Sequence, residues 1–469
     1  MRLRKRGIDS NSQMKPIPVN SAPHILLINP WIHDFAAYDF WAKPYGLLSL
    51  AAVLRGHGLK VSYVDCLDRF HPRSSHGNPH ARHGRGPYHK TPIPNPPGLE
   101  DIARTYSRYG IEPDWFREDL NALDSPPDLI LVTSMMTYWY PGVFGTIRFL
   151  KAHFGEIPVV LGGIYARLCS EHARAHSGAD HVAVDNGESL FDLIERFSGV
   201  SITPKFDLHD WTTHPYPAFD LQRVINYIPL LTRRGCPFDC AYCASRFLQP
   251  AMTQHTPERV VEEIVHWHRR YGVVDFAFYD DALLVDAPHH VLPILEGVLR
   301  EELPIFLHTP NAVHIRSITA ETARLMARTG FRTVRLGLET TAFESRSQLD
   351  RKVTEEEFRS AVGHLKNAGF AANQVGAYLL VGLPGQETAA VQASIELVKS
   401  VGITPVLAHY TPIPHTRLWD AAVNASRYDL AADPIFCNNA VFPCQREAFS
   451  WQALSRLKQQ IVSSDRAAP

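Results

Sequence analysis

The chain has 469 residues, 45% of them apolar and 20% charged, and its formal net charge is −1. This is the composition of a packed globular protein of roughly two to four domains, and it excludes a disordered chain and a global basic field for nucleic acid or an anionic membrane. No apolar run approaches the ~18 residues of a membrane span, and residues 1–20, basic at MRLRKR, lack the apolar segment of a signal peptide. Residues 1–23 therefore read as a flexible tail on a cytoplasmic protein, where clustered cysteines point to metal or redox chemistry rather than disulfides.

Over residues 24–200 short apolar runs alternate with helix-like stretches. HILLIN (24–29), KVSYVD (60–65), DLILVTS (128–134), PVVLGG (158–163) and HVAV (181–184) predict five buried strands, with a helical pattern over 46–56 after the first. Continuous apolar strands separated by helices imply a parallel sheet covered on both faces. The expected fold is a doubly wound, Rossmann-like α/β domain whose ligand lies across the carboxyl ends of the strands. One segment, HPRSSHGNPHARHGRGPYHKTPIPNPP (71–97), breaks the pattern and reads as a solvated excursion, with a lid over the active site as the sharper alternative. Its five histidines (His71, His76, His80, His83 and His89) have no regular metal-ligand spacing, so the segment by itself predicts no metal. In SMMTYWYPG (134–142) three adjacent aromatics predict a core plug, the alternative being a cap on a cofactor face or substrate.

Residues 201–225, polar and proline-containing, predict a linker. The alternation resumes over 226–430, with strands expected at 227–232, 273–279, 305–309, 333–337, 375–381 and 405–410. Helices between them have end signals: Thr256 before Pro257 and Gly272 bracket one, and Thr354 with Glu357 has capping-box spacing ahead of Gly369. Six strand–helix units make an open, partial (β/α)6 barrel, since eight would be needed to close one. Residues 431–469 form a C-terminal extension with an amphipathic helix over 449–462.

RRGCPFDCAYCAS (233–245) holds three of the seven cysteines, Cys236, Cys240 and Cys243, just after the first strand of this barrel. That is the carboxyl rim, where the scaffold carries its chemistry. Thiolates bind zinc or iron–sulfur clusters. A structural zinc needs four protein ligands, so a zinc knuckle would borrow a distant one such as Cys437 or Cys444. A four-iron cluster on three thiolates instead leaves one iron open to another ligand.

This CxxxCxxC run, with aromatic Tyr242 before its last cysteine, resembles the signature of the radical S-adenosylmethionine superfamily. The resemblance implies a [4Fe–4S] cluster on Cys236, Cys240 and Cys243, whose open iron is chelated by S-adenosylmethionine. An electron, from a donor such as flavodoxin or ferredoxin, then generates a 5′-deoxyadenosyl radical. Tyr279-Asp280-Asp281 stands where the family carries Gly-Gly-Glu to hold the amine of S-adenosylmethionine, which implies that role for Asp280 first and Asp281 second, helix capping being the plain alternative. LGLET (336–340) resembles the fourth-strand motif and implies Glu339 near the nucleoside. GAYLLVGLPGQE (376–387) resembles the fifth-strand segment, implying Gly376 and Gly382 against adenine. YTPIPHT (410–416) resembles the sixth-strand end, with His415 in place of a glycine.

The first domain resembles the cobalamin-binding domain that precedes some of these barrels, through residues 46–68, VTSMMT (132–137), VVLGG (159–163) and NGES (186–189). If cobalamin binds, the resemblance implies that Gly162 and Gly163 admit its nucleotide tail and Ser134 donates to it. The Asp-x-His-x-x-Gly motif that supplies cobalt with a histidine in many cobalamin proteins is absent, because Asp68-Arg69-Phe70-His71 has the wrong spacing. Three functions follow in order. The first is a radical enzyme, with cobalamin-dependent C-methylation of a small-molecule or peptide substrate as its reaction. The second is a cobalamin-free radical rearrangement, cyclisation or modification, the first domain recognising substrate. The third is a non-catalytic zinc or cluster protein. Cys66, Cys169, Cys437 and Cys444 read as inert thiols.

Overall fold

The computed structural model describes residues 22–75, 77–344, 349–350, 352–445 and 451–462. Most of the N-terminal tail, and His76, lie outside the described residues.

The five apolar runs of the first domain form β1 (His24–Asn29), β2 (Lys60–Asp65), β3 (Leu129–Val132), β4 (Val159–Leu161) and β5 (His181–Val182). All pair in parallel in the order β2-β1-β3-β4-β5. This is the flavodoxin-like winding, with its switch point between β1 and β3. Ile25 and Leu27 of β1 pack with Leu47, Ala51 and Leu54 of helix α1 (Tyr45–Gly56), while Leu26 and Ile28 pack with Val143, Ile147 and Leu150 of helix α2 (Tyr140–Phe154). A strand covered on both faces cannot alternate apolar with polar, hence the uninterrupted run in the sequence.

The second sheet is β6 (Ile228–Leu230), β7 (Asp275–Phe278), β8 (Phe306–His308), β9 (Phe331–Glu339), β10 (Val375–Val381) and β11 (Thr404–His409), parallel and in sequence order. Six strands in that order are the partial (β/α) barrel expected from the sequence. Its outward residues, including Phe276, Phe278, Leu307, Val334, Leu336 and Leu379, share one core with the surrounding helices. The helix ends follow the sequence signals. Thr256 accepts from the Arg259 amide, Gly272 closes that helix at φ 69°, and Thr354 with Glu357 makes a capping box.

Two segments depart from expectation. Residues 201–225 are not a free linker: the Ala218 amide donates to the Leu48 carbonyl at 2.9 Å, and Phe219, fully buried, packs edge-on to Trp267. The 71–97 insertion is solvent-exposed along much of its length, as expected of an excursion, but it is anchored at a few points, and these lie away from the cysteine rim. Its residues 90–92 join an antiparallel sheet with 107–109 and 32–34. Its His83 bonds Asp275, the first residue of β7, and Gly84 lies against Asn226 and Tyr227 just ahead of β6. The insertion therefore plugs the amino-end mouth of the barrel, opposite the rim. Packing and buried polar contacts fix it there, and neither leaves a periodic trace in sequence.

The C-terminal extension spans both halves. Asn438 donates to Asp34 at 2.8 Å, Asp433 accepts from Tyr140, and Gln445 donates to the Leu383 carbonyl. Its last helix, Trp451–Val462, seats Leu454 and Leu457 in the barrel core. Among the described residues no helix is long and apolar enough to cross a membrane.

Candidate functional site

The three rim cysteines sit in a loop whose stem is a short antiparallel ribbon, Arg233–Arg234 against Thr253–Gln254. Gly235 leaves that stem at φ 82°, and a Cβ there would stand 2.5 Å from the Ala251 carbonyl oxygen, so only glycine fits the turn. The loop is also tied across the rim. The Ala241 amide donates to the Leu349 carbonyl and the Leu418 amide to the Ala241 carbonyl, each at 2.8 Å. Cys240 is buried, Cys236 half-buried and Cys243 exposed. Burial pushes the Cys240 thiol up to about 11 and raises that of Cys236, so both sites favour a neutral thiol until a metal claims the sulfur.

Four ligands on one zinc at about 2.3 Å bring sulfurs to within about 3.8 Å of one another. Among the described residues, three His, Cys, Asp or Glu ligand atoms gather within 4.8 Å at His83, Asp275 and His308. Cys437 and Cys444, the distant ligands a zinc knuckle would borrow, are buried in an apolar cluster with Tyr138 and Tyr410.

Around the thiols the rim carries buried charge. Glu339 ends β9 at φ 65°, an uncommon backbone for a non-glycine residue, where the register with β10 shifts. Lys352 meets it at 3.9 Å and donates to the Tyr242 hydroxyl at 3.0 Å, with side-chain exposures of 13% for the lysine and 8% for the glutamate. Burial alone would lower the Lys352 ammonium, but Glu339, Cys240 and Asp350 hold it above its ordinary value. Lys352 went unseen in the sequence because it falls outside every motif. His314 is a second such residue: its Nε2 lies 3.7 Å from the Cys236 sulfur, and burial pushes its imidazole down to about 3, so it is neutral.

The two aspartates after β7 exchange places relative to expectation. Asp280 is buried and turned inward, accepting from the Thr232 hydroxyl at 2.6 Å and the Thr232 amide at 3.3 Å. Its carboxyl is therefore engaged inside the barrel wall. Asp281 faces the cysteine loop: it bonds Ser245, whose hydroxyl lies 3.1 Å from the Cys243 sulfur, and loss of solvent raises its carboxyl. Strand alternation breaks at a strand end, so sequence spacing could not rank the pair. Gly382 sits at the rim end of β10 with φ 93°, and its amide donates to Gln386. Gly376 corrects the expectation that both glycines line the rim. It is the second residue of β10, beside Arg335 and Val406 at the barrel's opposite end. His415 takes a left-handed φ of 66° in the glycine's place, stacks on Phe247 at 4.2 Å and bonds the Leu168 carbonyl, bridging the two domains.

In the first domain a cavity of about 340 Å³ opens at the carboxyl ends of β3, β4 and β5. Its floor is apolar, with Leu47, Leu50, Leu131, Val160 and Leu190, and Gly162, Gly163 and Gly187 line it as well. Its far wall is Leu231, Arg234 and Gln249, which flank the cysteine loop. Gly163 adopts φ 95°, ψ −170°, and a Cβ there would stand 2.3 Å from the Ser134 carbonyl oxygen. The Ser134 hydroxyl corrects the expectation of a free donor: it donates to the Gly162 carbonyl at 2.6 Å and accepts from the Ala166 amide. Thr133, next in line, reaches the cavity instead. His71 is away from it, buried against Trp115 and 3.5 Å from Asp119. The aromatic triplet is core, as expected: Tyr138 is buried, and Trp139 and Tyr140 bond Asp34 and Asp433.

Comparison with known proteins matches residues 230–398 to the Radical SAM superfamily. An uncharacterized methyltransferase of Pyrococcus horikoshii is 28% identical over 327 residues, 63% of this chain and 70% of its own. The cytidylyl-2-hydroxyethylphosphonate methyltransferase of Streptomyces wedmorensis is 21% identical over 447 residues, covering 81% of this chain and 78% of that protein. Among solved structures, the radical S-adenosylmethionine methyltransferase TsrM of Kitasatospora setae, with cobalamin and a [4Fe–4S] cluster bound, superposes with a TM-score of 0.62 at 16% identity, over 87% of this chain and 76% of that one. The cobalamin-dependent S-adenosylmethionine radical enzyme OxsB gives 0.56 at 13% identity, over 95% and 62%. These likenesses are of fold, and they span both domains.

Proposed function

We propose that this chain, whose residues 230–398 match the Radical SAM superfamily, is a radical S-adenosylmethionine enzyme and a cobalamin-dependent methyltransferase acting on an unactivated carbon of a small-molecule or peptide substrate. The observation that carries the reading is the cavity shared by the two domains. It starts on the strand ends of the first and finishes on Leu231, Arg234 and Gln249 beside the cysteine loop. A ligand pocket normally measures about 300–1,000 Å³, so this one would suit the nucleotide tail of a corrin. The methyltransferase relatives and the cobalamin-bound neighbours support the same reading.

Cys236, Cys240 and Cys243 would hold a cluster that would supply an electron for cleavage of S-adenosylmethionine, and a bound cobalamin would supply the methyl group. The protein's own part is placement and charge. Asp281 offers a carboxylate beside the thiols for an ammonium, and Gly382 keeps the rim of β10 bare of side chain. Lys352 balances Glu339, so that two buried charges flank the thiols without net cost in sign. Apolar Leu50, Leu131 and Leu190 exclude water from the cavity floor. The reductant would be a flavodoxin- or ferredoxin-type donor.

Anaerobic reconstitution with iron, sulfide and hydroxocobalamin, followed by desalting, tests the reading. Retention of one corrin per chain together with the cluster is expected. Ala183→Phe, which fills the cavity wall, should abolish corrin retention and leave the iron content unchanged. A protein that keeps its cluster and releases 5′-deoxyadenosine but holds no corrin would overturn methylation and leave a cobalamin-free radical enzyme.

A further inference from the structure

The insertion that plugs the barrel brings His83 into contact with two residues of the lumen wall. His83 Nδ1 lies 2.8 Å from Asp275 Oδ1, and His308 Nε2 lies 3.0 Å from the same oxygen. All three ligand atoms fall within 4.8 Å of one another. Asp275 opens β7 and His308 closes β8, and their side chains share the inward face because Ala277 and His308 are register partners. The side chains of His308 and Asp275 are 0% and 3% exposed, while His83 keeps 35%.

We propose that His83, Asp275 and His308 form a binding site for a divalent transition metal that rivets the insertion into the barrel. Two imidazole nitrogens and one carboxylate oxygen are the donor set of borderline cations, the class of zinc and ferrous iron. Such an ion bonds nitrogen and oxygen at about 2.1 Å, which sets tetrahedral ligand atoms about 3.4 Å apart. Two of the three edges, 2.8 and 3.0 Å, need only open slightly to reach that spacing. The third closes by movement of His83, the one partly exposed ligand, whose open side also admits the ion and its waters.

Further features orient the set. His308 Nδ1 faces the Thr333 hydroxyl at 3.2 Å, an acceptor for the ring proton once Nε2 binds metal. Trp41 stacks on His308 at 4.6 Å and donates its indole N–H to the His83 carbonyl, so one side chain steadies both imidazoles. The backbone bends to present them: Trp41, Arg82 and His83 all have left-handed φ, 69°, 52° and 58°. Non-glycine residues hold that conformation only where surrounding contacts impose it, and such positions gather at functional sites. The site is distinct from the cysteines. Asp275 opens β7 at the amino end of the barrel, whereas the thiols follow β6 at its carboxyl rim.

Zinc is the probe. Cluster-reconstituted full-length protein, dialysed against micromolar zinc and then against metal-free buffer, should retain one zinc per chain alongside the cluster iron. X-ray absorption at the zinc edge should show a nitrogen and oxygen shell with imidazole scattering. His83→Gln, on the surface side of the site, should weaken zinc at least tenfold while circular dichroism and iron content stay the same. Asp275→Asn should weaken it further. Absence of retained zinc in the wild-type chain, undiminished zinc in His83→Gln, or sulfur in the zinc shell would each overturn the proposal. The trio would then be a hydrogen-bonded pin and nothing more.

Discussion

Both domains present the carboxyl ends of a parallel sheet to the space between them, yet they do so with opposite chemistry. At the first sheet the polar groups satisfy one another: Ser134 is closed onto Gly162 and Ala166, glycines clear the backbone, and an apolar hollow remains. At the second sheet the strand ends carry thiols, Glu339, Lys352, Asp281 and His314, most with their titration displaced by burial. Beside β3, β4 and β5 the rim keeps a shape, and beside the cysteines it keeps charge. Displaced titration of this kind gathers where chemistry happens, and the first sheet carries it too at the end of β2, where burial pushes Asp65 up to about 6.

The contrast breaks most completely at the cysteines. Replacing Cys236, Cys240 and Cys243 together by alanine should remove all cluster iron, bleach the broad visible absorption and reduce 5′-deoxyadenosine release to background. Corrin retention should survive, because the cavity does not depend on the thiols. Lys352→Met comes next. It takes from buried Glu339 the ammonium 3.9 Å away, and breaking a buried pair from one side costs about 3 kcal/mol. A lower melting temperature and an altered cluster reduction potential are expected, with corrin binding intact. Gly163→Ala probes the other rim. Its backbone angles are nearly closed to residues with a Cβ, at about 1–3 kcal/mol, and the new methyl would meet the Ser134 carbonyl. Corrin retention should fall while iron content holds, the reverse of the cysteine variant.

The strands were legible because burial on both faces writes continuous apolar runs, and the cysteine loop was legible because three ligands of one cluster must lie close in sequence. What stayed hidden depends on the third dimension. Lys352 reaches Tyr242 and Glu339 only because the segment after β9 folds back over the loop. The insertion reads as solvated because Pro, Gly, His and Arg are ordinary surface residues, and much of it is exposed. Its anchoring rests on single contacts such as Asn226 and Arg69 donating to the Gly84 carbonyl. Gly376 is assigned to adenine because the resemblance covers the whole glycine-rich segment, although its place as second residue of the strand sets it at the end away from the rim.

Asp280 gives the smallest and most diagnostic test, since its inward turn appears as a pH slope. Burial pushes its carboxyl up to about 7 against an ordinary 3.8, with the Thr232 bonds opposing. In the unfolded chain the group loses its proton near pH 4, whereas in the folded chain it keeps it to about pH 7. Between those limits the folded state holds more protons, so its stability contribution is full at the acid end and falls as pH rises. The Thr232 hydroxyl lies between Asp280 and His290 Nε2, at 2.6 and 2.7 Å, and has one proton to share. Burial holds His290 neutral, down to about 4, so it does not offset the carboxylate's charge as Asp280 ionises. Melting temperature should therefore decline modestly from pH 5.5 to 7.5, and Asp280→Asn, uncharged throughout, should flatten that decline. A slope identical in the two proteins would mean that Asp280 is ionised across the range, and would return it to the rim as a candidate partner for an ammonium group.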